Sequence, residues 1–424
     1  MNTKELLETI NGHGLDANLA MLNCTKDLQQ VKKRYSDLVQ KAQTAFGDQD
    51  FKMFSAPGRT EIAGNHTDHQ KGRVLAAAVN MDIVAVACKS LDTVEFISEG
   101  FEIQQININD LDCKKSEFYS SEGLIRGILA RFKQLGYQIG GFKCYANSQV
   151  LKGSGISSSA AFEVLVGTIL NGLYNNLEIN SVEIAKISQY AENNYFNKPS
   201  GLMDQMACSV GGFVGIDFYD LDNLKIEKIN FDISKSGYHL VLVDTKGSHE
   251  DLSNEYGLMP QEMKLVANYF GKEVLSQISL TDLLNNFAQV RQTVKNDRAL
   301  LRAIHFLNET QRVPAQIAAL KANDIQGFLN RIIESGYSSY MYLQNVYSPT
   351  NITEQNLAIA LAVSEQILKG HGAYRVHGGG LAGTIQAFVS DDKLSEYLQM
   401  MHSIFGDDAC FVLDIRPVGG YQII

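Results

Sequence analysis

At 424 residues the chain is too long for one ordinary hydrophobic core, so its length predicts two domains. Hydrophobic residues at 45% and charged residues at 20% are the balance of a soluble globular protein, and a formal net charge of −10 argues against a nucleic-acid-binding face. The six cysteines (Cys24, Cys88, Cys113, Cys144, Cys208 and Cys410) form no C-x-x-C pair, which speaks for free thiols in a reducing compartment and against a disulfide framework or a cysteine zinc site.

Residues 1–50 read as helix, with Leu6, Leu7 and Ile10 and then Val31, Tyr35, Leu38 and Val39 at helical spacing. They are expected to form an amphipathic extension laid against the main body. The N-terminus has no signal-peptide core. The most apolar run, 74–88, is broken by Asn80 and Asp82 and is too short to span a bilayer. The expectation is a cytoplasmic protein with no membrane and no nucleic-acid partner.

Residues 51–72, FKMFSAPGRTEIAGNHTDHQKG, change character. Pro57-Gly58 reads as punctuation, and Arg59, Glu61, Asn65, His66, Asp68 and His69 then crowd together. Three readings stand at this point. His66, Asp68 and His69 suit a metal; the same loop suits a hydroxylated small molecule with Arg59 as a fixed cation; or it is a solvated loop whose polar groups cap turns.

Residues 73–112 read as strands around a turn at 91–93, and 121–136 as a helix with Leu124, Ile125, Ile128, Leu129 and Phe132 on one face. A strand over 142–150 then feeds LKGSGISSSAAFEVLV at 151–166. Gly153 and Gly155 permit positive φ, Ser157, Ser158 and Ser159 offer hydroxyls for capping, and the apolar run that follows is helical. A helix N-terminus after a Gly/Ser turn is an anion site, most often for phosphate. It is not a Walker A loop, because no Lys follows Gly155, and it is not a dinucleotide fingerprint, because Ser158 stands at the third glycine. No H-R-D, D-F-G or G-x-S-x-G occurs.

A helix follows at 182–196, and GLMDQMACSVGG then sets Asp204 among Leu202, Met203, Met206 and Ala207. A carboxylate in such company is a structural acceptor or a working group, and a cation such as Arg59 would hold it ionised. Residues 213–231 are β-rich, 232–236 are the candidate crossing between domains, and 239–247 read as a buried strand. Helix dominates 260–369. RVHGGGLAGTIQAFVS at 375–390 is a Gly-rich turn into a strand, and ACFVLDIRPVGGYQII closes the chain as a terminal strand with one more turn.

Several of these stretches together resemble one family. APGRTEIAGNHTDH (56–69) resembles the sugar-recognition signature of galactokinases, and GSGISSSAAFEV (153–164) the phosphate loop of the GHMP kinase superfamily. GLMDQMA (201–207), VDTKGSHEDLSNEY (243–256) and GGGLAGTIQAFV (378–389) are similar to further family segments in the same order. The resemblance implies an α/β (α+β) fold of two GHMP-kinase-like domains with the active site in the cleft between them. Residues 1–50 would be the helical extension, 51–231 the sugar- and ATP-binding domain, and 232–424 the C-terminal domain.

The implied activity is ATP-dependent phosphorylation of the anomeric hydroxyl of galactose, giving α-D-galactose 1-phosphate. Asp204 and Arg59 match the catalytic pair. Asn65, His66, Thr67, Asp68, Gly201 and Tyr256 fall on the sugar-binding positions, together with that pair. Gly153, Ser154, Gly155, Ile156, Ser157, Ser158 and Ser159 match the triphosphate cradle, and Ser98 a nucleotide contact. Ser159 and Glu192 match the Mg²⁺ ligands. The implied partners are a free sugar and ATP, with the protein a monomer or weak oligomer.

The chain also departs from the pattern. Asn65 stands for a Glu, His69 for a Tyr, Thr60-Glu61 for a Val-Asn pair and Leu381-Ala382 for a Phe-Gly pair. Asn65 keeps open a kinase for another sugar, such as N-acetylgalactosamine or arabinose. A non-catalytic sugar sensor of the same fold is opposed by the intact Ser157 to Ala161 run and by Asp204.

Overall fold

The computed structural model describes residues 1–99, 101–150, 155–247, 253–348 and 351–424. Three helices open the chain: α1 (Thr3–Asn11), α2 (Asp16–Asn23) and α3 (Gln29–Phe46). A capping box starts α1, with Asn2 accepting from the Glu5 N–H and Glu5 accepting from the Asn2 N–H. Leu6, Ile10, Leu19, Leu22, Tyr35, Leu38 and Val39 face inward and pack on Val84, Val86 and Cys88 of the sheet that follows.

That sheet contains β1 (Lys52–Ala63), β2 (Arg73–Ser90), β3 (Thr93–Ser98) and β4 (Phe101–Asn107). After α4 (Ser121–Gln134) come β5 (Gly141–Ser148), α5 (Ser158–Tyr174), α6 (Ser181–Asn194), α7 (Met203–Val210), β6 (Phe213–Asp217) and β7 (Lys225–Ile229). Side chains alternate along β2. Val84, Val86 and Cys88 meet the N-terminal helices, and Ile83, Ala85 and Ala87 meet the core under α4 and α5.

The second half begins with β8 (Tyr238–Asp244), followed by α8 (Ser253–Tyr269), α9 (Leu280–Asn285), α10 (Phe287–Val294), α11 (Asp297–Lys321), α12 (Ile325–Ser338) and α13 (Asn356–Leu368). It ends with β9 (Gly372–Val376), β10 (Thr384–Ser390), α14 (Leu394–Phe405), β11 (Cys410–Leu413) and β12 (Tyr421–Gln422). The second sheet runs β11-β8-β10-β9, antiparallel throughout. Leu240 and Leu242 of β8 join the main core, while Val241 and Val243 face Leu357, Leu361 and Tyr397.

The first sheet has eight strands, ordered β12-β1-β2-β5-β3-β4, with β6 on the other half of β2 and β7 beside β6. Two local expectations are corrected here. Pro57-Gly58 does not end an element. The strand β1 runs through it with a register shift between Pro57 and Arg59, a bulge that tolerates the missing proline N–H. The closing segment is not one terminal strand either. The strand β11 stays in the second sheet, whereas β12 returns to pair with β1. Arg416, between them, is fully buried and meets Asp82 of β2, which also receives Arg34 of α3 at 2.7 Å. A buried carboxylate between two guanidinium groups pins extension, sheet and C-terminus together. All six cysteines are free, and among the described residues no helix is long and apolar enough to cross a membrane.

Candidate active site

The bulge in β1 aims Arg59 at the start of α5. A Cβ on Gly58 would lie 2.7 Å from the Ile156 carbonyl, so only glycine allows this approach. The Arg59 N–H donates to that same carbonyl at 3.0 Å, and Nη1 donates to the Gly155 carbonyl at 2.6 Å. The rest of the guanidinium forks onto Asp204, with Nε to Oδ1 and Nη2 to Oδ2 both at 2.7 Å. Asp204 is the second residue of α7, where the helix dipole favours a negative charge. Burial works to raise its pKa. The Arg59 guanidinium outweighs burial, with Ser157 and Lys198 adding to it, and holds the carboxyl below the usual carboxylate range.

Ser157 holds a left-handed conformation, φ +61°, at the cap of α5. Its hydroxyl makes no capping hydrogen bond, contrary to the capping expected of it, and donates instead to Asp204 Oδ2. Behind the loop stands His377, which burial holds far below its ordinary pKa and so neutral. Its Nε2 accepts from the Glu61 N–H at 3.1 Å, so Nδ1 carries the proton and donates to Thr384 Oγ1 at 2.9 Å.

Ser159, on the first turn of α5, lies 3.2 Å from Glu192 Oε1 of α6. Lys198 Nζ meets the same oxygen at 2.8 Å. Glu192 Oε2 accepts from Ser200 Oγ at 2.5 Å and Gln205 Nε2 at 2.8 Å. The Gln205 amide also reaches Glu163 at 3.0 Å. Burial, with the nearby Glu192 adding to it, pushes Glu163 well above its usual range.

The polar loop after β1 closes against the Gly-rich turn before β10. Asn65 Nδ2 donates to the Gly378 carbonyl at 2.6 Å, His66 Nε2 to that of Gly379 at 2.9 Å, and the Tyr256 hydroxyl to that of Gly380. Asn65 is fully buried, and its Oδ1 accepts from Ser339 Oγ and Asn345 Nδ2. Thr67 is also fully buried, with its hydroxyl 2.8 and 2.6 Å from the Gly64 and Arg73 carbonyls. Asp68 packs on Gly201, where a Cβ would come within 2.4 Å of its Oδ2. Burial raises the Asp68 pKa against the pull of His66. His66 and His69 meet edge to face at 5.7 Å, and among the described residues neither ring nitrogen of His69 finds a partner. Among those residues no three His, Cys, Asp or Glu side chains are set to hold a metal, so the three-ligand reading of His66, Asp68 and His69 is not met.

The expected site residues therefore fall into three groups. Arg59, Gly155, Ile156, Ser157 and Asp204 converge on one point; Ser159 meets Glu192 beside it; His66 and Tyr256 meet the Gly-rich turn, with Asp68 packed on Gly201. Ser158 begins α5. Ser98 ends β3 opposite Ala146 and has no described side-chain contact with the cluster. Gly153 and Ser154 lie outside the described residues. The sequence reading passed over Glu163, Lys198, Ser200 and Gln205. Their one sequence signal is proximity to Ser159, Glu192 and Asp204 along the chain, since their partners are set by the packing of α5, α6 and α7.

Residues 123–212 match the GHMP kinases N terminal domain, and residues 43–89 match the galactokinase galactose-binding signature. The galactokinase of Limosilactobacillus reuteri (strain DSM 20016) is 27% identical over 407 residues, covering 93% of this chain and 99% of its own. Over nearly its whole length the chain is similar to galactokinases. A second galactokinase, from Streptococcus suis, is 29% identical over 376 residues, with 87% of this chain and 91% of its own covered. Among solved structures, galactose-complexed Lactococcus lactis galactokinase superposes with a TM-score of 0.77 at 23% identity, over 91% of this chain and 99% of that one. A mevalonate kinase superposes at 0.57 and 16% identity, over 86% and 98%. These likenesses give the two-domain GHMP kinase fold, and the galactokinase signature spans β1, the polar loop and β2, the elements that carry Arg59 and Asp68.

Proposed function

We propose that the chain transfers the terminal phosphoryl group of ATP to the anomeric hydroxyl of galactose. The observation that carries this reading is the bidentate Arg59–Asp204 pair, set beside Ser157 at the N-terminus of α5. In the transfer the bond from the γ-phosphorus to its bridging oxygen breaks as a bond to the sugar oxygen forms. ADP leaves, and the hydroxyl proton passes to Asp204. Arg59 keeps Asp204 ionised and positions it, and it faces the charge that develops on the sugar oxygen.

The N–H groups at the start of α5 suit the phosphate oxygens. His66, Asp68, Gly201 and Tyr256 shape the sugar side. Asn65 and Thr67, whose polar groups are spent inside the protein, support that loop from behind rather than meeting the sugar. Ser159 and Glu192 supply the hard oxygen donors that Mg²⁺ prefers, with water completing the set. The ion, when bound, would neutralise phosphate charge. The division of the chain is proposed near residue 232, with β12 assigned to the first unit because it pairs with β1. The same reading makes it a cytoplasmic enzyme acting as a monomer or weak oligomer.

Turnover of ATP against a panel of free sugars tests the proposal. Galactose-dependent ADP release, abolished by Asp204→Asn and by chelation of divalent metal, is expected. ATP binding without turnover on any sugar would sink the kinase reading.

A further inference from the structure

The Glu192 carboxylate is engaged on every side. Its Oε2 accepts from Ser200 and Gln205, its Oε1 is shared by Ser159 and Lys198, and the residue is 2% exposed. Lys198 is the odd member of this set. It lies on the loop between α6 and α7, its side chain is 51% exposed, and its one described ion pair is with Glu192. It shares a carboxylate oxygen with Ser159 on the first turn of α5. Its ammonium therefore stands beside the anion-binding end of that helix, on the candidate metal carboxylate, and it also favours the ionised form of Asp204.

A buried carboxylate without a countercharge is strongly unfavourable. Lys198 meets that need while no metal is bound. With Glu192 holding a divalent cation, the ammonium would be free to meet a triphosphate at the start of α5 from a half-exposed, flexible stem, and a lysine binds phosphate well as a point charge. We propose that Lys198 is a further nucleotide-contacting residue, which neutralises Glu192 in the free enzyme and pairs with the terminal phosphate of bound ATP. This rests on the ATP-dependent reading of the site.

Calorimetric binding of a non-hydrolysable ATP analogue and of ADP, both with Mg²⁺, tests it on the wild type, Lys198→Met and Lys198→Arg. Lys198→Met should weaken the analogue about tenfold, the worth of one charge-assisted hydrogen bond, and leave ADP little changed. Lys198→Arg should retain most of the analogue affinity. Equal weakening of both nucleotides, or unchanged binding with only a lower unfolding temperature, would overturn the proposal and leave Lys198 a structural counter-ion. Wild-type ADP release with galactose, measured alongside, separates the two readings. Its absence strikes the kinase assignment, whereas intact turnover without a Lys198 effect strikes this inference alone.

Discussion

Asn65 donates to Glu61 Oε1 at 3.1 Å, inside a fully buried network that also brings Arg375 Nη2 to the same oxygen at 2.8 Å. These two residues are two of the chain's departures from the galactokinase pattern, which has Asn and Glu where this chain has Glu61 and Asn65. The departures are therefore one exchange, in which a carboxylate and an amide trade places across a single hydrogen bond. This exchange supports the proposal that Asn65 props the loop rather than meeting the sugar.

A double-mutant cycle checks this. Asn65→Glu alone sets a second carboxylate against Glu61 in a buried site and should cost about 3–5 kcal/mol in urea unfolding. Glu61→Asn combined with Asn65→Glu should be more stable than Asn65→Glu alone. Simple additivity of the two losses would show that the residues are not a compensated pair.

Asp204→Asn should lower kcat about a thousandfold while nucleotide binding persists, because it removes the proton acceptor and keeps the shape. Arg59→Ala should cost stability as well, by about 3 kcal/mol or more, since it leaves Asp204 without its buried partner. Steady-state kinetics and thermal unfolding of both variants distinguish the roles. Equal stability losses would argue that the pair is structural only.

Gly201→Ala is expected to act on the proposed sugar side alone. Its Cβ would come within 2.4 Å of Asp68 Oδ2 and must displace that carboxylate. The KM for galactose should rise at least tenfold while the KM for ATP stays near its wild-type value, a displacement that removes one charge-assisted contact. A matching rise for ATP would place Asp68 elsewhere than on the sugar.

Acid stability is tied to Glu309, fully buried on α11. It accepts from the Gly64 N–H at 3.1 Å, Ser335 Oγ at 2.7 Å and Arg312 Nη1 at 2.6 Å. Burial opposes its ionisation, but His305, Arg375 and Arg312 outweigh burial and lower it from 4.5 to about 2. A depressed carboxyl stabilises the fold fully above its unfolded value of 4.5 and loses that contribution as pH falls toward about 2. Glu309→Gln should be less stable at neutral pH and should show a shallower loss of stability across that acid window. An unchanged acid profile in chemical unfolding would remove Glu309 from this role.

The sequence by itself determined the element types, the strand–loop–helix at the phosphate site, and the identity of Arg59, Asp204, Ser159 and Glu192 as candidates. The elements and the loop follow from local spacing, with period two along β2, helical period along α3 and α4, and glycine and serine where a turn meets α5, whereas Glu192 and the metal role of Ser159 are implied by the resemblance to galactokinases alone. Only the tertiary structure decided what each polar group bonds to. Ser157 looks like a helix cap along the chain but turns to Asp204, 47 positions away. Asn65 looks like a pocket residue but is sealed by Asn345, 280 positions away. Glu163, one of a run of helix residues, is pushed well above the usual carboxylate range because packing buries it and sets Glu192 beside it, against the opposing hydrogen bond from Gln205. Helical and strand periods act over a few residues and are written in the chain. A buried hydrogen bond or a shifted pKa depends on which distant group the packing brings within about 3 Å, and no local pattern carries that.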